Sequence, residues 1–193
     1  AKFGDLLPQM KWVNFGGGHH ITRADYDVDG LVALLLDFRS RHPHLTVYLE
    51  PGEAVALDAG TLEATVLEIQ SPGADGISNA ILDVSAACHM PDVIEMPYVP
   101  PLYGTCDDYP CRCRFAGPTC LAGDVIGDYG FMKLPEPGEM LLFGDMAIYT
   151  TCKNNTFNGM PLPQIYKRAA DGSLVRLTDF GYGEFKRRLG ERK

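Results

Sequence analysis

The sequence predicts an α/β segment built on two parallel strands, followed by a mainly β domain, with the change near residue 58. Three observations carry this. The first third alternates strand-like and helix-like apolar spacing. The rest is a series of short strand-length apolar runs, and most of the chain's 14 prolines fall among those runs. That punctuation belongs to sandwiches and barrels rather than to helical bundles.

In order, Met10 to Phe15 is a β-prone run stopped by Gly16-Gly17-Gly18. Val28, Leu31, Val32, Leu35 and Phe38 recur at helical spacing, with Thr22 or Asp25 as candidate caps. Arg39 and Arg41 suit the negative end of that helix, and Pro43 lies beyond it. Leu45 to Leu49 is a second strand, stopped by Pro51-Gly52. Two strands joined through a helix should be parallel, with chemistry gathered at their C-terminal ends. Those ends carry Gly16 to His20 and Glu50-Pro51-Gly52. Residues 53–60 suggest a short helix. Strands are then expected over Leu62 to Ile69, Ala80 to Ser85, Arg112 to Phe115, Met140 to Phe143 and Ala147 to Thr151. Gln164 to Arg168 should pair with Leu174 to Leu177 across Asp171-Gly172, and Phe180 to Leu189 reads as a closing amphipathic helix. A parallel piece of only two strands would leave open edges and an uncovered face, which predicts further chain upstream.

Composition narrows the function. A net charge of -8 argues against nucleic acid as partner. No apolar run reaches the roughly 20 residues of a membrane helix. The start, Ala1 to Asp5, has neither a secretory leader nor an initiator Met, which predicts a fragment, a processed product or a trimmed chain. Six cysteines are too few for a disulfide scaffold of this size, and the spacing of Cys106, Cys111, Cys113 and Cys120 lacks paired C-x2-C knuckles. Reduced cytoplasmic thiols and no metal are therefore expected.

Four motifs carry chemistry. Gly16-Gly17-Gly18 after a strand can bring backbone N–H groups to a phosphate, although a plain tight turn fits equally well. It is neither a dinucleotide fingerprint, since Ile21 stands where glycine is required, nor a P-loop. Glu50 at a strand end could keep a heteroaromatic nitrogen protonated, or be a surface carboxylate before a turn. Gly117-Pro118-Thr119-Cys120 with Asp124 puts a thiol and a carboxylate on one loop; a small buried cysteine is the plainer reading. Phe143 to Thr150, with Tyr149, reads as a strand leading into the polar run Thr156-Phe157-Asn158-Gly159.

In this order, the motifs resemble one family, the ornithine/diaminopimelate type of pyridoxal-phosphate-dependent decarboxylases, and within it the carboxynorspermidine/carboxyspermidine branch. The similarity runs through Trp12 to Arg23, Glu50 to Ala54, His89-Met90-Pro91-Asp92 and Gly117 to Asp124. It implies that residues 1–57 are the last βα units of a TIM-type (β/α)8 barrel that binds pyridoxal 5'-phosphate. Residues 58–193 would be a C-terminal β-sandwich or β-barrel domain. It implies Gly16, Gly17 and Gly18 on the cofactor phosphate, with the Tyr149 hydroxyl added, and Glu50 on the pyridine nitrogen. Cys120 would donate a proton to the substrate's α-carbon. Asp124, Glu53 and His20 would face a polyamine precursor. It also implies a homodimer with sites at the interface.

Two departures favour the polyamine branch. Ornithine decarboxylases have Arg where this chain has Glu53, and an acidic residue where it has Leu121. Another basic amino-acid decarboxylase, such as one for diaminopimelate, and a catalytically silent relative are the alternatives. The family's Schiff-base lysine lies upstream of these motifs. Lys153 is the nearest substitute, but reads as a solvated surface lysine, so the half with the Schiff-base lysine is expected to be missing and the isolated chain inactive.

Overall fold

The computed structural model describes residues 2–190; residue 1 and residues 191–193, at the ends of the two predicted domains, lie outside the described residues. The chain divides into two compact units, Ala1–Leu57 and Asp58–Lys193.

The first unit opens with a 3-10 turn over Gly4–Gln9, then β1 (Trp12–Asn14), α1 (Val28–Arg41), β2 (Thr46–Tyr48) and α2 (Gly52–Ala56). β1 and β2 pair in parallel, Trp12 opposite Thr46 and Asn14 opposite Tyr48. The cap of α1 is neither of the expected residues. Asp27 accepts from the Gly30 N–H at 2.8 Å, whereas the Thr22 hydroxyl donates to the Ala54 carbonyl and Asp25 pairs with Arg23. An N-cap must sit one residue before the first helical turn, and here that turn starts at Val28. Among the described residues of this unit, Leu45 and Ala54 are the apolar side chains that are buried. On α1, Leu31, Leu35 and Phe38 of the apolar stripe are half-buried, while Val32 and, at the margins of the stripe, Leu34 and Leu36 are exposed at 46%, 60% and 58%. Beside it Val32, Leu35, Leu36, Arg39, Val47 and Leu49 line a shallow depression of 280 Å³.

The second unit is built on one five-stranded sheet, not on two packed sheets. Its strands are β3 (Leu62–Gln70), β4 (Ser78–Leu82), β5 (Cys111–Ala116), β6 (Val125–Phe131) and β7 (Met140–Phe143), in the order β6-β5-β4-β3-β7. β4 and β5 are parallel, and their crossover contains α3 (Ala86–His89) and α4 (Pro91–Glu95). The other pairings are antiparallel. β3 serves two partners: Leu62 to Thr65 pair with β7, and the half beyond, with a register shift, pairs with β4.

Alternate residues point to one face, so that Leu62, Ala64, Val66, Leu82, Phe115, Ile126, Leu141 and Phe143 form the core. The aromatic contacts show that the sheet curls. Tyr129 and Phe143 stand on its opposite edge strands, four spacings or roughly 19 Å apart if flat, yet their rings are 6.1 Å apart. Phe115 reaches Phe143 at 6.4 Å across two intervening strands. The sheet is therefore a curled half-barrel.

After β7 the chain forms α5 (Ile148–Cys152), a hairpin of β8 (Tyr166–Arg168) and β9 (Leu174–Arg176), and α6 (Tyr182–Arg188). The segment Ala147 to Thr151, expected to be a strand, is mostly helix. Asp145 turns the chain at φ 52°, and Met146 N–H is taken by the Gly60 carbonyl, which starts a helical turn despite the β-prone residues after it. The strand expected over Ala80 to Ser85 also stops early. β4 ends at Leu82, because Ser85 serves as the cap of α3.

Candidate active site

In the first unit, the triglycine turn and Glu50 lie side by side. Glu50 N–H donates to the Gly16 carbonyl at 2.8 Å. Gly17 is so close that a Cβ there would be 2.6 Å from the Glu50 carbonyl oxygen, a contact only glycine permits. Gly16 and Gly18 adopt φ of 76° and 79°, in the region where L side chains are strained. Asn14 fixes both neighbours: its Oδ1 accepts from Gly16 N–H at 2.8 Å and its Nδ2 donates to Glu50 Oε1 at 2.6 Å. Among the described residues the N–H groups of Gly17 and Gly18 meet no acceptor, and both glycines are exposed. Two free amides on an open glycine turn fit a phosphate, and a carboxylate beside them with one oxygen already oriented fits a heteroaromatic N–H. The residues present therefore suit pyridoxal phosphate.

His20 and Glu53, both expected at the substrate, pair with each other, His20 Nε2 to Glu53 Oε2 at 3.0 Å. Each remains part-exposed.

In the second unit, the Cys120 loop is built around a buried carboxylate. Asp124 is 3% exposed. It accepts from the Ser85 hydroxyl at 2.9 Å to each oxygen, from Ala87 N–H at 3.1 Å, from Thr119 N–H at 3.2 Å and from the Thr119 hydroxyl at 2.6 Å. Four donors fill the capacity of one carboxylate. Asp124, expected near the substrate's distal amines, has its lone pairs taken up in holding the loop. Gly117 is required there, since a Cβ would lie 2.2 Å from Asp124 Oδ2. Gly117 N–H to the Asp124 carbonyl, at 2.9 Å, closes the base of the loop. At its tip Cys120 is exposed, not buried, and its Sγ donates to Asn158 Oδ1 at 3.6 Å.

Tyr149 lies on α5, 40% exposed, with Lys153 Nζ 5.2 Å from its ring centre. Lys153 is not a simply solvated lysine. It pairs with Asp92 at 2.5 Å and with Glu95, and these carboxylates raise its pKa well above the ordinary lysine range. A nucleophilic amine must be neutral, so this lysine is a poor Schiff-base former.

Residues without an assigned role in the motifs prove central. His89, 1% exposed, accepts the Ser85 N–H on Nδ1 at 3.1 Å, so Nε2 carries the hydrogen and donates to the Pro161 carbonyl at 3.0 Å. Burial lowers its pKa, which favours this neutral form. The Ser85 hydroxyl caps α3 through Cys88 N–H and donates to Asp124. Nothing in the local sequence joins Ser85, Asp124 and Pro161; only the Asn158-Gly159 step signals a special backbone. Cys113 points into the core, where burial pushes its thiol up to about 11. Among the described residues no group of three or more His, Cys, Asp or Glu side chains could hold a metal ion, and no helix is long and apolar enough to cross a membrane.

Comparison with known proteins gives the family. The family model described as pyridoxal-dependent decarboxylase, C-terminal sheet domain, matches residues 26–147. A carboxyaminopropylagmatine decarboxylase of Synechocystis is 42% identical over 97% of this chain and 49% of its own length. A carboxynorspermidine/carboxyspermidine decarboxylase of Campylobacter jejuni is 40% identical over 97% of this chain and 51% of its own. The crystal structure of carboxynorspermidine decarboxylase from Campylobacter jejuni, complexed with norspermidine, superposes with a TM-score of 0.80 at 40% identity, covering 97% of this chain and 53% of that one. The chain thus spans about half the length of the curated relatives it matches. A triglycine turn locked against Glu50, a half-barrel sheet and these likenesses along nearly the whole chain agree: the chain belongs to the pyridoxal-dependent decarboxylases, and its second unit is built on their C-terminal sheet domain.

Proposed function

We propose that this chain forms part of a pyridoxal-phosphate-dependent decarboxylase that removes the α-carboxylate of carboxynorspermidine or carboxyspermidine. The observation that carries the reading is the contact of Gly17 with Glu50, which sets free backbone amides beside a fixed carboxylate. The amides of Gly17 and Gly18, with the Tyr149 hydroxyl, would hold the phosphate, and Glu50 would hold the pyridine nitrogen in its protonated form. Pyridoxal phosphate, when bound, supplies an electron sink for the pair left behind as carbon dioxide departs. Cys120 would deliver its S–H proton to the α-carbon, so that one C–C bond is replaced by one C–H bond, and the thiolate left behind regains its proton from water. His20 and Glu53 form a part-exposed pair able to meet an amine of the substrate.

The exposed Val32, Leu34 and Leu36 of α1 support placing the first unit in a (β/α)8 barrel, whose other helices and strands would cover them. An exposed Cys120 and an exposed Leu121 at the loop tip support a site completed by a second copy, hence a homodimer. Six free thiols support a cytoplasmic setting.

A second reading is favoured by the 42% identical Synechocystis relative: a carboxyaminopropylagmatine substrate, which ends in a guanidinium instead of an ammonium. Carbon dioxide release by the intact protein should be measured with carboxynorspermidine, carboxyspermidine, carboxyaminopropylagmatine, diaminopimelate and ornithine. Turnover of a carboxylated triamine is expected. Preference for the guanidinium substrate would select the second reading, and turnover of diaminopimelate or ornithine alone would overturn both.

A further inference from the structure

The thiol of Cys120 has one polar partner among the described residues, the amide oxygen of Asn158. We propose that Asn158 is a positioning residue that takes the Cys120 S–H and so fixes where the sulfur's hydrogen points; its use in catalysis rests on the reading of Cys120 as proton donor. An amide oxygen only accepts, so with Oδ1 turned to the sulfur it is the sulfur that carries the hydrogen in this contact. That is the form a proton donor needs.

The backbone supports the assignment. Asn158 stands at φ 56°, followed by Gly159 at φ 76°. Among residues with a side chain, asparagine is one of the few that tolerate this region, so position 158 joins a tight left-handed turn to an amide group. The segment is also tied down on both sides of Asn158. Asn155 donates through its side chain to the Ala87 carbonyl at 2.8 Å and through its N–H to the Cys88 carbonyl at 2.9 Å. Asn155 Oδ1 accepts Phe157 N–H at 3.0 Å, Cys88 Sγ donates to the Phe157 carbonyl at 3.6 Å, and His89 holds the Pro161 carbonyl.

These anchors sit on α3 or beside it, and the cap of α3, Ser85, is also the residue that grips Asp124. One short helix thus fixes both the loop that offers the thiol and the loop that receives it. Of the charged groups on these segments, Asp124 has its acceptor sites already filled, and Arg188 of α6 reaches the Thr156 hydroxyl through Nη1 at 3.4 Å.

Two variants suit the left-handed backbone while changing the acceptor: Asn158→Gly removes it and Asn158→Asp replaces it with a charged one. Alkylation of Cys120 by iodoacetamide in the intact protein is followed by peptide mass spectrometry. Asn158→Gly should speed it about fivefold, the worth of an ordinary hydrogen bond, and Asn158→Asp should slow it by a similar factor. A loop that merely loosened would speed alkylation in both. Turnover should fall in Asn158→Gly with little change in KM. Equal or same-direction changes in alkylation would overturn the proposal. Opposite changes together with full turnover in Cys120→Ala would leave the Asn158 contact standing and remove the proton-donor role of Cys120.

Discussion

Gly17 lies beneath Glu50 at a distance that leaves no room for a methyl group: a Cβ at Gly17 would meet the Glu50 carbonyl oxygen at 2.6 Å. Because that obstacle is backbone, it cannot rotate away. Gly17→Ala must separate the turn from the strand end, so cofactor affinity in the intact protein should fall by about tenfold or more. Absorbance titration with pyridoxal phosphate checks this. Unchanged affinity would remove the turn from the cofactor site.

Asp124 should matter for stability before it matters for chemistry. Asp124→Ala leaves four buried or half-buried donors on Ser85, Ala87 and Thr119 without their acceptor. A loss of about 3–5 kcal/mol in denaturant unfolding is expected, since each buried donor left unsatisfied costs about 1–3 kcal/mol. Gly117→Ala, which pushes a Cβ to within 2.2 Å of the same carboxylate, should resemble it. A fully stable Asp124→Ala protein with a raised KM would instead assign Asp124 a substrate role.

His89 predicts a pH dependence with a definite sign. Burial holds its pKa below the ordinary 6.5. Well above pH 6.5 both folded and unfolded states carry it uncharged. As pH falls below 6.5 the unfolded state takes up a proton first, so stability drops until the lower folded value is passed, with a slope of at most about 1.4 kcal/mol per pH unit. Urea unfolding between pH 7.5 and 5.5 should show this slope, and His89→Gln should flatten it. An equal slope in the variant would assign it to other groups.

Lys153 is held by Asp92 and Glu95 over the Tyr149 ring, and stays protonated. In the intact protein, Lys153→Ala should leave the visible absorbance of bound cofactor in place. Disappearance of that band in the variant would make Lys153 the covalent attachment point.

Much of the architecture was legible in local pattern. Apolar spacing located β1, α1, β2, β3, β5 and β7, and the parallel pairing of β1 with β2 followed from the helix between them. The motifs were sufficient to place the chain in its family, because each records a local requirement: glycine where backbone must approach backbone, a carboxylate at a strand end.

What local pattern could not decide was set by contacts between distant segments. β6 was hidden by Gly127 and Gly130, which weaken a strand signal. The fold demands Gly130, where a Cβ would lie 2.1 Å from the Cys106 carbonyl oxygen, while at Gly127 a Cβ would be tight, 3.0 Å from a Val99 methyl. α5 overrode its β-prone residues because the turn at Asp145 redirects the chain. The roles of Asp124, His89 and Asn158 arose only when folding brought α3, the Cys120 loop and the Asn158 segment together. A hydrogen bond depends on position to a fraction of an ångström, and sequence separation carries no record of it.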